Sequence, residues 1–127
     1  MGIARVDYVI LYVTDLDVSI RFYRDVLGLP FKFQDKAYAE FATENVKFGL
    51  LPRSEVKALI GKDPGAGPDS EILFVVDDVD AWHEKLRERG VRILSDPTDR
   101  PWGHRTLYVE DPDGHVVELA QEMPRGT

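Results

Sequence analysis

Two glutamates occupy positions where an acidic side chain is unusual. Glu118 follows the apolar pair Val116 and Val117, and by strand alternation it shares a face with Val116 and Ala120. Glu71 opens another apolar run. An acid among apolar side chains needs a partner or a function. Glu118 is therefore either part of a salt bridge at a sheet rim or a metal ligand, an acid or an anion that faces a ligand. Glu71 is either a solvated strand end or part of the same site.

The segment Pro101-Trp102-Gly103-His104 places an indole on a stiff loop. Proline and glycine both interrupt regular structure, so Trp102 is expected outside a helix or strand. The ring is either a plug against a sheet edge or subunit interface, or a stacking wall for a flat ligand. His104 enters the next strand, where a capping role and a place in a ligand site are both open. His83 and His115 are expected at the surface.

The elements that must position these residues follow from hydrophobic periodicity. Alternation predicts a strand at 6–13, with Tyr8 and Tyr12 on one face. Thr14 or Asp15 is the expected N-cap of a helix whose apolar residues recur at helical spacing. Short strands are then predicted near 31–34, 37–42 and 46–51.

The second half of the chain repeats this plan about 62 or 63 positions later. A strand is predicted at 71–76, and a helix begins near Asp78 and buries Val79, Trp82 and Leu86. Asp111-Pro-Asp-Gly114 is a strong tight-turn sequence. The remaining strands are predicted near 91–95, 104–110 and 115–121.

An order of βαβββ, found twice, predicts an α+β fold. The expected architecture is a curved mixed sheet with helices outside and a concave inner face. The repeat defines one domain with modules at 5–52 and 70–122, because neither half could bury much core alone. The linker 53–69 is rich in glycine and proline, and its apolar residues could form one helical turn over a site.

Composition excludes several classes of function. The 127 residues fit one domain, and the net charge of −7 opposes binding to nucleic acid and to anionic membranes. The absence of cysteine excludes disulfides, thiolate catalysis and thiolate metal sites. With no secretory signal and no apolar run long enough for a membrane span, a cytoplasmic location is expected.

Four motifs in this order resemble the vicinal oxygen chelate superfamily, which includes glyoxalase I, extradiol dioxygenases and the bleomycin and fosfomycin resistance proteins. The motifs are Val13-Thr-Asp-Leu16, Phe22-Tyr23-Arg-Asp-Val-Leu-Gly28, Pro101-Trp-Gly103 and Asp111-Pro-Asp-Gly-His-Val-Val-Glu-Leu119. The resemblance covers nearly the whole chain. It implies the glyoxalase/bleomycin resistance/dioxygenase fold, a ligand cup and a homodimer.

In metal-using members of that superfamily, the ligands come from four strand positions on the inner face. The resemblance carries these positions onto Tyr8, Gly49, Glu71 and Glu118. Two carboxylates and a phenol would suit Mg²⁺, Mn²⁺ or Fe³⁺ rather than Zn²⁺ or Ni²⁺. Since both usual histidines are missing and Gly49 has no side chain, no metal cofactor is expected; a divalent ion held by Tyr8, Glu71 and Glu118 is the alternative.

The leading hypothesis is a binding protein of the bleomycin-resistance type, which would confer antibiotic resistance by sequestering an amphipathic aromatic ligand. Its predicted ligand-binding residues are Tyr8, Tyr12, Glu71, Trp102, His104 and Glu118. The carboxylates favour a cationic group on the ligand.

The rival hypothesis is an enzyme. It would be a glyoxalase-like lyase or isomerase, or a dioxygenase, with Glu118 as metal ligand or catalytic base. A metal-free enzyme is also open, because repulsion between neighbouring carboxylates raises the pKa of one of them. A third hypothesis is a regulatory or antitoxin-like module without a small ligand.

Overall fold

The computed structural model describes residues 2, 5–60, 62–65, 67, 68 and 70–124. The chain divides into two units, Met1–Gly67 and Pro68–Thr127. Each unit contains a four-stranded mixed sheet with helices, so the predicted α+β class and the doubled βαβββ order are confirmed. The first unit contains β1 (Tyr8–Val13), α1 (Leu16–Ile20), β2 (Phe31–Gln34), β3 (Ala39–Phe41), β4 (Lys47–Pro52) and α2 (Arg53–Ile60). The second contains β5 (Glu71–Val75), α3 (Val79–Glu88), β6 (Ile93–Asp99), β7 (His104–Glu110) and β8 (Val116–Glu122).

Sheet A of the first unit has the strand order β1-β4-β3-β2, with β1 parallel to β4 and the other pairs antiparallel. One face of this sheet carries the core. Its buried residues include Leu11, Phe48 and Leu50, and the Tyr23 ring packs edge-on to Phe48 with centroids 4.8 Å apart. The opposite face of the sheet carries Ile10, Glu40 and Gly49.

The first helix begins with a side-chain N-cap and changes from α to π geometry along its length. The side chain of Asp15 accepts a hydrogen bond from the Val18 amide at 3.2 Å, which satisfies one free N–H of the first turn. After Ile20 the helix continues as a π-helical segment, Arg21–Val26. Leu27 donates to the carbonyl of Phe22 at 3.0 Å, five residues back, as π geometry requires.

The predicted linker contains more helix than one turn. Helix α2 occupies the first eight residues after β4, and Val56 is its fully buried anchor. Arg53 donates to the carbonyls of Gly65 and Gly67 at 3.0 and 2.9 Å. The start of the linker is therefore tied to its end within the first unit.

Sheet B of the second unit has the matching order β5-β8-β7-β6. The side chain of Asp78 accepts from the Ala81 amide at 3.1 Å, so the predicted start of α3 is confirmed. Val79 and Leu86 are fully buried, but Trp82 is only half-buried, and the prediction of a buried tryptophan there was wrong. In the described parts of the chain, no helix combines the length and apolar character that crossing a membrane requires.

The prediction of an exposed His115 was also wrong. His115 is 3% exposed, and its Nδ1 lies 2.5 Å from the Ser70 hydroxyl. In the predicted turn before it, Asp111 Oδ1 accepts the backbone N–H groups of Asp113 and His115 at 2.9 and 2.8 Å. The turn therefore holds this histidine against the residue that precedes β5.

Candidate functional site

Cross-strand register defines one candidate surface on each sheet. On sheet A, Ile10 lies beside Gly49 and Gly49 beside Glu40, on the side opposite the buried core. We call this surface face A, defined by Ile10, Glu40, Gly49 and Leu51. On sheet B, Tyr108 lies beside Glu118 and Thr106 beside Ala120. We call this surface face B, defined by Thr106, Tyr108, Glu118 and Ala120.

A tyrosine and a carboxylate form the polar centre of face A. The Tyr38 hydroxyl donates to Glu40 Oε1 at 3.0 Å, and Lys32 Nζ donates to Glu40 Oε2 at 3.1 Å. Glu40 is only 4% exposed, and these two donors provide hydrogen-bond partners for both of its carboxyl oxygens. Burial, followed by the hydrogen bond to Glu40, raises the pKa of the Tyr38 phenol well above its ordinary value. Tyr38 is therefore a neutral hydrogen-bond donor at physiological pH.

Gly49 makes room for this arrangement. A Cβ at position 49 would lie 2.7 Å from Cε1 and 2.9 Å from Cζ of Tyr38, closer than real Cβ contacts come. The ring thus lies where a side chain on β4 would begin. Residue 49 supplies space to Tyr38 and no functional group of its own.

Face A also borders a pocket of about 360 Å³. The walls are mostly apolar, and Tyr38 and Glu55 are the lining residues that carry a polar group. The sheet contributes one wall and α2 the other. The lining residues are Ile10, Ala37, Tyr38, Leu51, Glu55, Ala58 and Leu59.

The two predicted tyrosines of β1 lie on the side of sheet A that carries face A. Tyr8 is 46% exposed, and Lys47 Nζ lies 4.9 Å from its ring centroid. Tyr12 is half-buried and pairs with Leu51 of β4. The structure therefore brings Tyr8 and Tyr12 to the same side as Ile10, although the pocket walls do not include either ring.

On face B, Glu118 is 4% exposed and accepts a hydrogen bond from the Tyr108 phenol. Burial and then this hydrogen bond raise the pKa of Tyr108, and the charges of Glu118 and Glu71 act in the same direction. Glu71 is exposed at the start of β5. The structure thus brings Glu118 and Glu71 near one phenol.

The other two predicted residues of the second unit lie where β7 begins. Trp102 is 62% exposed in the loop before β7, outside regular structure as predicted. His104 is the first residue of β7 and shares its alternation with Thr106 and Tyr108. The His104 Nδ1 atom is buried, and it has no hydrogen-bond partner among the residues that the structure describes.

At two of the four positions that hold the ligands in metal-using members, Gly49 and Glu118, the surrounding residues do not favour a metal ion. On face A the ring of Tyr38 covers the ligand position at Gly49, and the nearby Glu40 is held by Lys32 and Tyr38. On face B, Glu118 already accepts a hydrogen bond from the Tyr108 hydroxyl. Across the described residues, no three His, Cys, Asp or Glu side chains form a group that could hold a metal ion.

Several polar residues of these surfaces and of the pocket were missed from sequence, among them Lys32, Tyr38, Glu40, Glu55 and Tyr108. Glu40 alternates with the apolar Ala39 and Phe41, which is the same signal that pointed to Glu118. The tyrosines gave no comparable signal, because their importance depends on which strand lies beside them.

The chain is similar to known proteins over most of its length. The sequence profile of the Glyoxalase/Bleomycin resistance protein/Dioxygenase superfamily matches residues 5–119. The uncharacterized protein YraH of Bacillus subtilis is 33% identical over 86% of this chain and 91% of its own length. A probable lactoylglutathione lyase of Synechocystis sp. is 30% identical over 90% of this chain and 92% of its own.

A solved structure is similar over nearly the whole chain. The glyoxalase-related enzyme from Fulvimarina pelagi has a TM-score of 0.84 at 24% identity, covering 94% of this chain and 89% of its own. At that identity the likeness concerns the fold alone.

Proposed function

We propose that this chain, which belongs to the Glyoxalase/Bleomycin resistance protein/Dioxygenase superfamily, binds and sequesters an amphipathic aromatic small molecule without using a metal ion. The pocket beside face A carries this proposal. Its volume of about 360 Å³ lies within the range of small-molecule sites, and its mostly apolar walls with one phenol and one carboxylate resemble their usual composition.

The polar groups of the pocket suit an amphipathic ligand. Tyr38 offers both a ring for stacking and a hydroxyl that stays protonated. Glu55 adds negative charge to the pocket wall, which complements a cationic group on the ligand. Glu71 and Glu118 are the acidic residues predicted to bind the ligand in the second unit.

A planar cationic dye such as acridine orange tests the pocket. We expect saturable binding at physiological ionic strength, weakened by Leu59→Ala because the pocket loses apolar wall. The loss should be about 1–2 kcal/mol, roughly 5- to 30-fold in Kd by fluorescence titration. Leu94→Ala is the control, because Leu94 is also an exposed leucine but lies on β6, outside the pocket lining. Equal weakening in both variants would reject the pocket as the binding site.

Trp102 remains a predicted stacking residue of the second unit. Removing a stacking ring costs about 1–3 kcal/mol of affinity, roughly 5- to 150-fold in Kd. Since Trp102 is 62% exposed on a loop, Trp102→Ala should leave the melting curve nearly in place. A large drop in melting temperature with unchanged dye affinity would instead make Trp102 a structural residue.

The alternative is a lyase, isomerase or dioxygenase that uses Glu118 as metal ligand or base. The near-complete burial of this carboxylate on face B supports it, as does the similarity to a probable lactoylglutathione lyase. Elemental analysis of freshly purified protein distinguishes the two functions. One equivalent of transition metal per chain, lost in Glu118→Gln together with lactoylglutathione turnover, would establish the enzyme.

A further inference from the structure

Arg100 lies across face B and is held there by two hydroxyl groups. Its Nε donates to Thr106 Oγ1 at 2.8 Å, and one terminal nitrogen donates to Ser95 Oγ at 3.4 Å. The guanidinium carbon is 5.7 Å from the centroid of the Tyr108 ring. Register places Ser95 beside Tyr108, so these contacts all lie on the surface that carries Glu118. The guanidinium is therefore positioned by neutral groups from three places on sheet B.

Arg100 makes no close ion pair with the described residues. No carboxylate oxygen of the described residues lies within 4.0 Å of the Arg100 guanidinium, although the chain carries 23 acidic residues. The contrast with Arg105 is direct, because Arg105 pairs with Asp80 at 3.0 Å and with Asp99 at 2.9 Å. Leaving a half-buried guanidinium among neutral hydroxyls has a desolvation cost that an anion would offset.

The Arg100 guanidinium has N–H donors that remain available for that anion. A guanidinium has five N–H donors in a rigid fork, and Thr106 and Ser95 use two of them. The remaining three match the two oxygens of a carboxylate, which arginine binds in bidentate fashion. Glu118 and Glu71 lie near Tyr108 on the same surface and would repel a more highly charged group. A singly charged anion is thus favoured over a phosphate dianion.

We propose that face B binds the carboxylate group of a small molecule through Arg100, with the Tyr108 ring beneath the bound group. Ser95 and Thr106 act as positioning residues, since they orient the guanidinium and leave its remaining donors outward. The residues of this site differ from those that line the pocket beside α2, and the proposal does not rest on the function proposed for that pocket.

Benzoate is the probe, with benzamide as its uncharged counterpart and inorganic phosphate as the competing anion. Binding is followed by NMR of the arginine Nε–Hε resonances, assigned with the Arg100→Gln variant. We expect benzoate to shift the Arg100 resonance saturably and benzamide to leave it in place. Arg100→Gln should weaken benzoate binding about tenfold or more, because a charge-assisted pair is lost.

Two further variants keep the test decisive. Arg87→Gln removes the same charge from an exposed position on α3 and should leave benzoate affinity unchanged. Arg100→Lys retains the charge without the fork and should bind benzoate with intermediate affinity. Three results would overturn the proposal: benzoate affinity equal in Arg100→Gln and wild type, phosphate binding more tightly than benzoate, or no shift of the Arg100 resonance at millimolar benzoate.

Discussion

At Gly49 the missing side chain leaves space that the ring of Tyr38 fills. The requirement is one of close approach and not of backbone conformation, because Gly49 is absent from the described glycines with positive φ. The same space lets the Tyr38 hydroxyl reach Glu40 at 3.0 Å. One glycine therefore determines both the shape and the hydrogen bonding of face A.

Gly49→Ala should destabilise the protein by about 1–3 kcal/mol, as expected when an extra carbon is forced into a filled site. The added Cβ would come within 2.7 Å of the Tyr38 ring and displace it from Glu40. The measurement is the midpoint of urea unfolding.

Tyr38→Ala provides the control for this substitution. In that background the ring is gone, so Gly49→Ala should cost much less, and a double-mutant cycle should report coupling between the two sites. An undiminished cost in the Tyr38→Ala background would show that position 49 is constrained by something other than this ring.

Tyr38 and Tyr108 should ionise later than an exposed tyrosine. Burial first, then hydrogen bonding to Glu40 and Glu118, raises the pKa of each phenol above the ordinary 10.0. A raised folded-state pKa means that these groups stabilise the fold below pH 10.0, and this stabilisation is lost as the pH rises through the folded-state pKa. Tyrosinate absorbance measures the effect: Tyr38→Phe and Tyr108→Phe should each remove a late-ionising group. Loss of an early-ionising group instead would contradict this assignment.

At the scale of elements, sequence periodicity predicted most helices and strands. The sequence predicted Thr14 or Asp15 as one cap and Asp78 as the other, because a short polar side chain before an apolar helical stripe can accept first-turn amides. In the structure Asp15 and Asp78 do so. The turn at Asp111–Gly114 was equally clear. Caps and turns depend on residues that are close in sequence, so the local sequence pattern was sufficient to predict them.

The residues that lie opposite one another in paired strands could not be predicted from local sequence patterns. Tyr38 over Gly49, and Arg100 beside Tyr108, each depend on which residues lie opposite one another in a sheet. A one-residue shift would turn those side chains to the other face. The burial of His115 depends likewise on Ser70, which lies far away in sequence. Sequence could thus identify Glu118 as a candidate but not its partner Tyr108.

Among the described side chains of helix α2, Val56 is the buried one. Val56 is fully buried, whereas Leu59 is 71% exposed. Val56→Ala should cost about 2 kcal/mol through the cavity it leaves and should speed amide exchange in α2. Leu59→Ala lies on the same helix and should barely change either quantity. Equal effects of the two variants on stability would mean that Val56 does not anchor the helix.

At the scale of the whole molecule, apolar side chains on edge strands favour association. Tyr8 and Ile10 on β1, and Leu73 and Val75 on β5, are between 41% and 63% exposed. Such edges invite pairing with another chain. We therefore predict a homodimer with two-fold symmetry.

Light scattering at micromolar concentration measures the assembly. Ile10→Lys should shift the chain toward the monomer, because it places a charge on the edge that is expected to pair. Val18→Lys is the control, since Val18 is comparably exposed but lies on α1. A monomeric wild-type protein would contradict the predicted dimer.

The closure of the linker within the first unit affects the order in which the protein can fold during synthesis. Every strand of sheet A finds its partners among residues 8–52, and Arg53 fastens the chain to the carbonyls of Gly65 and Gly67. Among the described residues, the strand pairings of sheet A include no residue of the second unit. As the chain leaves the ribosome, the strands of sheet A can pair before β5 has emerged, so the first sheet can form ahead of the second.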